Sequence, residues 1–500
     1  MKKTLEKFLS TNSFKNKSPE HINLVFGTIF EYSRELNSIE SLEKGINMSS
    51  SVSLENFQDD DKMTFYYNLS NAWSYKKQMT HTTASSNFWE FENLELTSEI
   101  LNCRKALLFS EGTKNLKRKC EILTNLGNDL SHLGRYSEAI ELWNRALSID
   151  AKFSMALGNF GFGVFHYSKI LCDEGHAAYF LKESYLYLKK AIESDEIYIE
   201  AKNSFKSIVL FIEKYVDADF LKMPNEFKAH SLGETPKEVA YKQWCLENIL
   251  FLNPLNDIYK ETIVAQDILN LPTMVVRKGD SRVYNYHSIF NQIKQEFCSA
   301  RYLFYEFITD IETHFSDKGI IIIDTLDKSI CSFNAEKGKT AFKTFYSILD
   351  KIAYLLNSYL ELGYKPHEIT FRKIWHERNK LNPKIENTQN WGLRGLFWLS
   401  KDFFEKDDFQ TLLEPEAQEL SLIRNFIEHK SFTLTEFYAS GVSEDGFTYN
   451  IEKEIFINKT FKLMKIIRAA LIYTSLMINI EEQKKEKPDF LNTINLHPTI

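Results

Sequence analysis

Long segments of the sequence place large apolar residues three or four positions apart, which is the spacing of a helix with one buried face. One segment carries Phe290, Ile293, Phe297, Ala300, Phe304 and Phe307, and a second carries Phe342, Phe345, Leu349, Ile352, Leu356 and Tyr359. Only 18 glycines and 10 prolines interrupt the 500 residues, so few positions would end a helix early. The sequence therefore predicts an all-α protein, long enough for about three domains.

Charge and cysteine content limit the classes of function. The formal net charge of −7 does not indicate a strongly basic nucleic-acid binder, although an RNA-cleaving enzyme can be acidic overall. The six cysteines form no CxxC pair, so we expect reduced thiols without a disulfide framework or zinc site. The N-terminal residues lack the apolar region of a signal peptide, and the purest aliphatic run, Ile320–Ile323, is too short to span a bilayer. We expect a cytoplasmic protein with no membrane partner, metal or cofactor.

Residues 121–152 have the pattern of two helices that touch through small residues. Leu126, Gly127 and Leu130 would lie on the first helix, Gly134 at the turn, and Ala139, Trp143 and Ala146 on the second. The pattern resembles a tetratricopeptide (TPR) repeat, except that Ala151 stands where the family usually has proline. A second copy begins near Asn159 and a weaker one near Asn68. The resemblance implies an array with a concave surface for a protein or peptide partner. The alternative is a helical bundle without repeats.

A short run near residue 424 places four polar side chains on one side of a predicted helix. At about 100° per residue, these side chains fall within an arc of about 140° around the helix, in the order Arg424, Glu428, Asn425 and His429. The opposite side carries the apolar residues Ile423, Phe426 and Ile427. Because residues four apart are neighbours on a helix, Arg424 can pair with Glu428, and Asn425 can hydrogen-bond His429.

The chemistry of these side chains suits RNA cleavage by the 2′-OH of the RNA itself. That reaction needs proton transfer and a cation at the phosphate, which an imidazole and a guanidinium supply. Arg424 and His429, with Asn425 assisting, are therefore the candidate catalytic residues. The alternative is a solvated helix end whose histidine interacts with the helix dipole.

The run resembles the Rx4–6H motif of the HEPN superfamily, in the form R-N-x-x-x-H. Segments 345–363, 371–375, 393–404 and 414–430 resemble successive helices of the bacterial HEPN branch that is fused to N-terminal TPR repeats. The resemblance implies a helical bundle that dimerises, with two motifs in one cleft, and a metal-independent endoribonuclease that leaves a 2′,3′-cyclic phosphate. It implies a role as a toxin or in antiviral defence against phage. Asp350 or Asn357 could supply a polar group from the first helix, and Glu428 and Lys430 are further supporting candidates.

The predicted division of the chain has five parts. These are an N-terminal segment with a helix or two and a loop (1–60), TPR-like repeats (61–215), a helical connecting region (216–335), a HEPN-like bundle (336–482) and a flexible tail (483–500). The resemblance implies an RNA-cleaving toxin or defence effector that acts as a homodimer and binds a partner through its repeats. Two alternatives are open: a non-catalytic adaptor, and a nucleotide-binding regulator for which the sequence has no phosphate loop.

Overall fold

The protein is described by a computed structural model. The structure describes residues 1–11, 13–80, 89–225, 227–275, 282–323, 328–378, 380–403, 417–436, 441–443 and 445–485. Most of these residues are helical, which confirms the predicted all-α class. The predicted flexible tail falls mainly on residues 486–500, which lie outside the described residues.

Three helices open the chain, where the sequence predicted a helix or two followed by a loop. They are α1 (Lys2–Leu9), α2 (Pro19–Glu35) and α3 (Ile39–Ser49). The Ser18 hydroxyl accepts a hydrogen bond from the His21 N–H (3.3 Å) and so caps the start of α2, with Pro19 in the first helical position. The three helices share an apolar core with α4 (Asp59–Thr80), so this segment packs on the helices that follow.

Packed helical pairs follow. After α4 come α5 (Leu94–Leu108), α6 (Leu116–His132), α7 (Tyr136–Ile149), α8 (Ser154–Ser168), α9 (Glu174–Ile192), α10 (Ile199–Tyr215) and α11 (Ala218–Lys222). The pairs are α4 with α5, α6 with α7, and α8 with α9. Gly127 lets α6 and α7 approach closely, because a Cβ atom there would lie 2.6 Å from Trp143 Nε1. Asn68 and Asn159, where we expected further copies to begin, lie inside α4 and α8, and membership of the TPR family stays a prediction.

Helices of unequal length, from four residues in α15 to 32 in α18, make up the C-terminal half. They are α12 (Pro236–Glu247), α13 (Arg282–Thr309), α14 (Phe333–Tyr359), α15 (Pro383–Glu386), α16 (Trp391–Ser400), α17 (Ala417–His429) and α18 (Lys453–Lys484), with a two-residue hairpin of β1 (His376–Glu377) and β2 (Lys380–Leu381). Residues 371–375, which we expected to be helical, form consecutive turns. The sequence pattern predicts a last helix near Phe461–Ile478, and α18 extends beyond both of these ends.

The sequence pattern predicts a loop between α17 and α18, and the structure has a small sheet there. Its strands are β3 (Ser431–Thr435), β4 (Gly441–Val442) and β5 (Thr448–Glu452). β3 and β5 are parallel, and β4 is antiparallel to β5. Phe432 and Leu434 of β3 are buried, as are Tyr449 and Ile451 of β5, while the residues between them are partly exposed. Alternation with a period of two residues is typical of a strand, and the segments SFTLT and TYNIE both show it in the sequence.

Helix α18 is the central helix of the C-terminal half and packs against α13, α14 and α16. Among the described helices it alone is long and apolar enough to cross a membrane, with a mean hydropathy of 1.5 in its apolar window. In the protein, 89% of that window is buried. Burial of this kind is typical of a core helix that is hydrophobic on all sides.

Buried charges join the N-terminal helices to the C-terminal half. Arg104 of α5 donates two hydrogen bonds to the Asp402 carboxylate, just after α16, at 2.7 and 3.1 Å. Arg135, at the start of α7, donates a third to the same carboxylate at 2.6 Å. The side chains of Asp402 and Arg135 are 1% and 0% exposed. The carboxylate is therefore shared by two guanidinium groups inside the protein.

The turn between α6 and α7 also contacts the C-terminal helices. Gly134 has a φ of +82°, and a Cβ atom there would lie 2.2 Å from the carbonyl oxygen of Trp391 at the start of α16. The Ser137 hydroxyl donates to Asp257 (2.7 Å), which also accepts from Arg468 of α18 (2.6 Å). One apolar core extends from α4 to α18. Part of the surface of the helical pairs is therefore covered by the chain's own C-terminal helices.

Candidate active site

The polar run identified in the sequence lies in the last two turns of α17. Ile423 and Phe426 are buried and anchor α17 against α14 and the small sheet. Arg424 is partly exposed, and Asn425 and His429 are exposed. The apolar side of the helix thus faces the core, and the candidate catalytic side chains face outward at its C-terminal end.

Glu428 lies between the two candidate catalytic side chains. Its Oε2 atom is 2.9 Å from Arg424 Nη2 and 3.6 Å from His429 Nε2. We expected Asn425 to hydrogen-bond His429, but it accepts a hydrogen bond from Arg424 Nη1 instead (3.1 Å). The guanidinium is therefore held from two sides by residues of its own helix. The His429 side chain stays 66% exposed.

The ring of Tyr346, on α14, packs against the Arg424 guanidinium. The Tyr346 ring centre is 5.9 Å from Arg424 Cζ, within the range of a cation–π contact. Burial raises the pKa of Tyr346 to about 12, so the phenol is neutral at physiological pH. The Arg424 Nε atom is buried and has no hydrogen-bond partner among the described residues. Sequence reasoning missed Tyr346, for which the one signal is its position a single turn before Asp350 on the same helix.

Of the supporting residues predicted on α14, Asp350 lies beside the arginine. Its Oδ1 atom accepts a hydrogen bond from the Phe371 N–H at 2.9 Å. Burial raises the pKa of the Asp350 carboxyl, while the Phe371 N–H and the charge of Arg424 act in the opposite direction and Glu428 adds to the rise. The carboxyl group is therefore part of the same electrostatic cluster as Arg424 and Glu428.

The other two predicted supporting residues serve the local fold. The Asn357 amide donates to the Tyr364 carbonyl (3.2 Å) and accepts from the Tyr364 N–H (3.0 Å), which holds the loop after α14. Lys430 Nζ donates to the carbonyl of Gly446, between β4 and β5, at 3.0 Å. Neither side chain contacts Arg424 in the described part of the chain. Asn357 lies two helical turns beyond Asp350, about 10 Å along the axis.

The arrangement has the elements of a phosphodiester-cleaving half-site. A guanidinium is suited to bind a phosphate, and an exposed imidazole is suited to transfer a proton near neutral pH. Each chain presents one such imidazole in this cluster, so two chains are needed for two. Within the described ranges, no three His, Cys, Asp or Glu side chains are grouped closely enough to hold a metal ion.

Comparison with known families places this cluster in a recognised domain. Residues 277–481 match the model of the LA2681-like HEPN family. The match extends from just before α13 to near the end of α18 and contains Arg424, Asn425 and His429. The C-terminal part of the chain is therefore a HEPN-superfamily domain, which indicates a HEPN-type function, typically that of a ribonuclease or toxin. No curated protein and no solved structure matches the chain.

Proposed function

We propose that the protein is a metal-independent endoribonuclease of the HEPN type. The observation that carries the proposal is the geometry of α17, where Arg424 and His429 lie on one outward arc with Glu428 between them. This arc lies within the segment that matches the HEPN family. The phosphate-binding group and the proton-transfer group of one half-site are thus present on one rigid element.

The proposed reaction is an intramolecular transesterification. The RNA 2′-oxygen attacks the adjacent phosphorus, the bond from phosphorus to the 5′-oxygen breaks, and the products carry a 2′,3′-cyclic phosphate and a 5′-hydroxyl. One His429 takes the proton from the 2′-OH, and a second imidazole gives a proton to the departing 5′-oxygen. Arg424 stabilises the negative charge that builds on the phosphoryl oxygens.

Two copies of the chain would supply the two imidazoles. A single histidine cannot easily reach both sides of the phosphorus at once, whereas a two-fold dimer brings two equivalent histidines to one cleft. We therefore propose a homodimer in which two α17 helices face each other across one RNA phosphate. In the cell the enzyme would act as an RNA-cleaving toxin or antiviral defence effector, with the helical pairs binding a partner or trigger.

The test is cleavage of labelled RNA by the full-length protein in EDTA. We expect products that end in a 2′,3′-cyclic phosphate with the wild type, and none with His429→Ala or Arg424→Ala. The matched controls are His367→Ala, an exposed histidine of the same domain, and Arg145→Ala, an exposed arginine of α7. Equal cleavage by all five proteins would refute the assignment. Absence of cleavage in every condition would favour the adaptor alternative.

A mixing experiment tests the shared site. Co-expression of wild type with differently tagged His429→Ala gives heterodimers that contain one imidazole. If each site needs two imidazoles, cleavage should fall with the square of the wild-type fraction. A linear decline would show that each chain acts alone. Growth arrest on expression that disappears with His429→Ala would support the toxin role.

A further inference from the structure

One lysine of α14 has no carboxylate partner within the described ranges. Lys337 pairs with Glu306 (3.1 Å), Lys339 pairs with Glu336 (2.8 Å), and Lys351 pairs with Glu296. Lys343 is exposed and makes no ion pair among the described residues. Lys339 and Lys343 are the two α14 lysines on the side of the candidate active site, and of these two Lys339 already pairs with Glu336.

The direction of Lys343 follows from its neighbours on α14. At about 100° per residue, Lys339, Lys343, Tyr346 and Asp350 fall within an arc of about 60°. Lys339 Nζ is 6.0 Å from the Phe432 ring on β3, and Tyr346 lies under Arg424. Lys343 is therefore on the stripe that runs from the small sheet to the arginine, between the two.

Two further cations lie beyond Asp350. The hydrogen bond from the Phe371 N–H to Asp350 fixes the turn of residues 371–375 against α14 at this point. Arg372 and Lys373 follow Phe371 directly, and both are exposed. The charge of Arg372 also acts on the phenol of Tyr346 and opposes the rise of its pKa, so this side chain is close to the cluster. The candidate active site thus has cations on both sides along α14.

We propose that Lys343 on one side, and Arg372 and Lys373 on the other, bind the phosphates of single-stranded RNA that flank the scissile phosphate at Arg424. We call these three residues the basic rim. The inference rests on the proposed function and adds a path for the RNA backbone across α14. The distance along α14 from Lys343 to Asp350 is about 10 Å, enough to separate neighbouring phosphates into distinct contacts.

The chemistry of the basic rim favours an extended polyanion. Its cations contact backbone charge and include no group placed to read a base, so affinity should depend little on RNA sequence. The net charge of −7 for the whole chain would oppose binding elsewhere and direct RNA to the rim. This resolves the conflict between an acidic protein and a polyanionic substrate.

The test measures binding apart from cleavage. A fluorescent 2′-O-methyl RNA, which lacks the attacking hydroxyl, is titrated with full-length wild type and with the double variant Lys343→Gln/Lys373→Gln. The matched control is Lys206→Gln/Lys214→Gln on α10, which removes the same charge from two exposed lysines. For single strands each lost phosphate contact lowers the slope of log K against log salt by about 0.7, or about fivefold in affinity near 0.1 M salt.

We expect the rim variant to bind about 25-fold more weakly with a slope reduced by about 1.4, and the control to match the wild type. Equal affinity and slope for the rim variant and the wild type would overturn the inference. It would also be overturned if polyglutamate of the same charge bound as tightly as the RNA. Cleavage of ordinary RNA in EDTA is measured separately. If cleavage depends on His429 but the rim variant binds RNA as tightly as the wild type, only the basic rim is refuted. If the rim variant binds RNA more weakly but no protein cleaves RNA, only the proposed nuclease activity is refuted.

Discussion

Replacing Asp402 by asparagine should destabilise the whole protein, because the carboxylate holds two buried guanidinium groups. Arg104 and Arg135 donate three hydrogen bonds to it, and the side chain is 1% exposed. Asparagine keeps the shape but leaves the two arginines without this negative charge in the interior. Removing one partner of a buried ion pair typically costs about 3–5 kcal/mol.

The pKa of Asp402 gives a second, independent value for the free energy that its carboxylate contributes to folding. The charges of Arg104 and Arg135 outweigh the effect of burial and lower its pKa from 3.8 to about 2. Because the folded-state pKa is below the unfolded value, the contribution to stability is present above pH 4 and is lost as the pH falls from about 4 to about 2. The shift corresponds to about 2–3 kcal/mol at neutral pH. This value reflects the carboxylate alone and leaves out the two arginines, of which Arg135 keeps Glu138 as a second partner (Nε to Oε2, 2.7 Å).

The assay is urea unfolding followed by tryptophan fluorescence at neutral pH and through the acid range. We expect Asp402→Asn to lose about 2–5 kcal/mol and to lack the part of the acid-induced loss that Asp402 causes. The control is Glu361→Gln, which removes a pair with Arg282 whose side chains are 66% and 54% exposed and should cost under about 1 kcal/mol. A variant within 1 kcal/mol of the wild type, with an unchanged acid response, would refute the reasoning.

Two further substitutions test contacts that hold the fold, one in the turn between α6 and α7 and one in the loop after α14. Gly134→Ala should lower the free energy of unfolding by more than about 2 kcal/mol, because the added Cβ meets the Trp391 carbonyl at a position with positive φ. The control is Gly112→Ala, where φ is a similar +75° but no atom lies within 4 Å, and it should cost only about 1 kcal/mol. Thermal unfolding measures both. Asn357→Ala should cost about 1–3 kcal/mol through its lost bonds to Tyr364, while the folded protein cleaves RNA within twofold of the wild-type rate. A larger loss of cleavage would place Asn357 in the site after all.

Local patterns in the sequence were sufficient to predict the helices. The three- and four-residue spacing in α13 and α14 predicts their buried faces, and the small residues at Gly127 and Ala139 predict the close packing of α6 on α7. The small sheet was missed because β3 and β5 have five residues each, and such short alternation is easily read as a loop beside long helical patterns.

Only the part of the candidate site that lies on a single helix, α17, could be predicted from the sequence. The arc of Arg424, Glu428 and His429 follows from helix geometry alone. Tyr346 and the turn at Phe371 reach the site through packing of distant segments, and the one sequence signal for either was the position of Tyr346 a single turn before Asp350. The same limit applies to Arg104 and Asp402, which are 298 residues apart along the chain.

The covered surface of the helical pairs constrains how a partner could act through them. Trp391 and Asp402 of the C-terminal half occupy the face formed by α5, the α6–α7 turn and the start of α7. A partner can shift the protein only by the difference in its affinity for two states. A partner that bound at this face would have to open it and supply the free energy of the contacts it replaces, which the Asp402→Asn experiment measures in part. A partner that binds the helical pairs outside this face leaves the shared core intact and can act on the HEPN domain as a complete, folded unit.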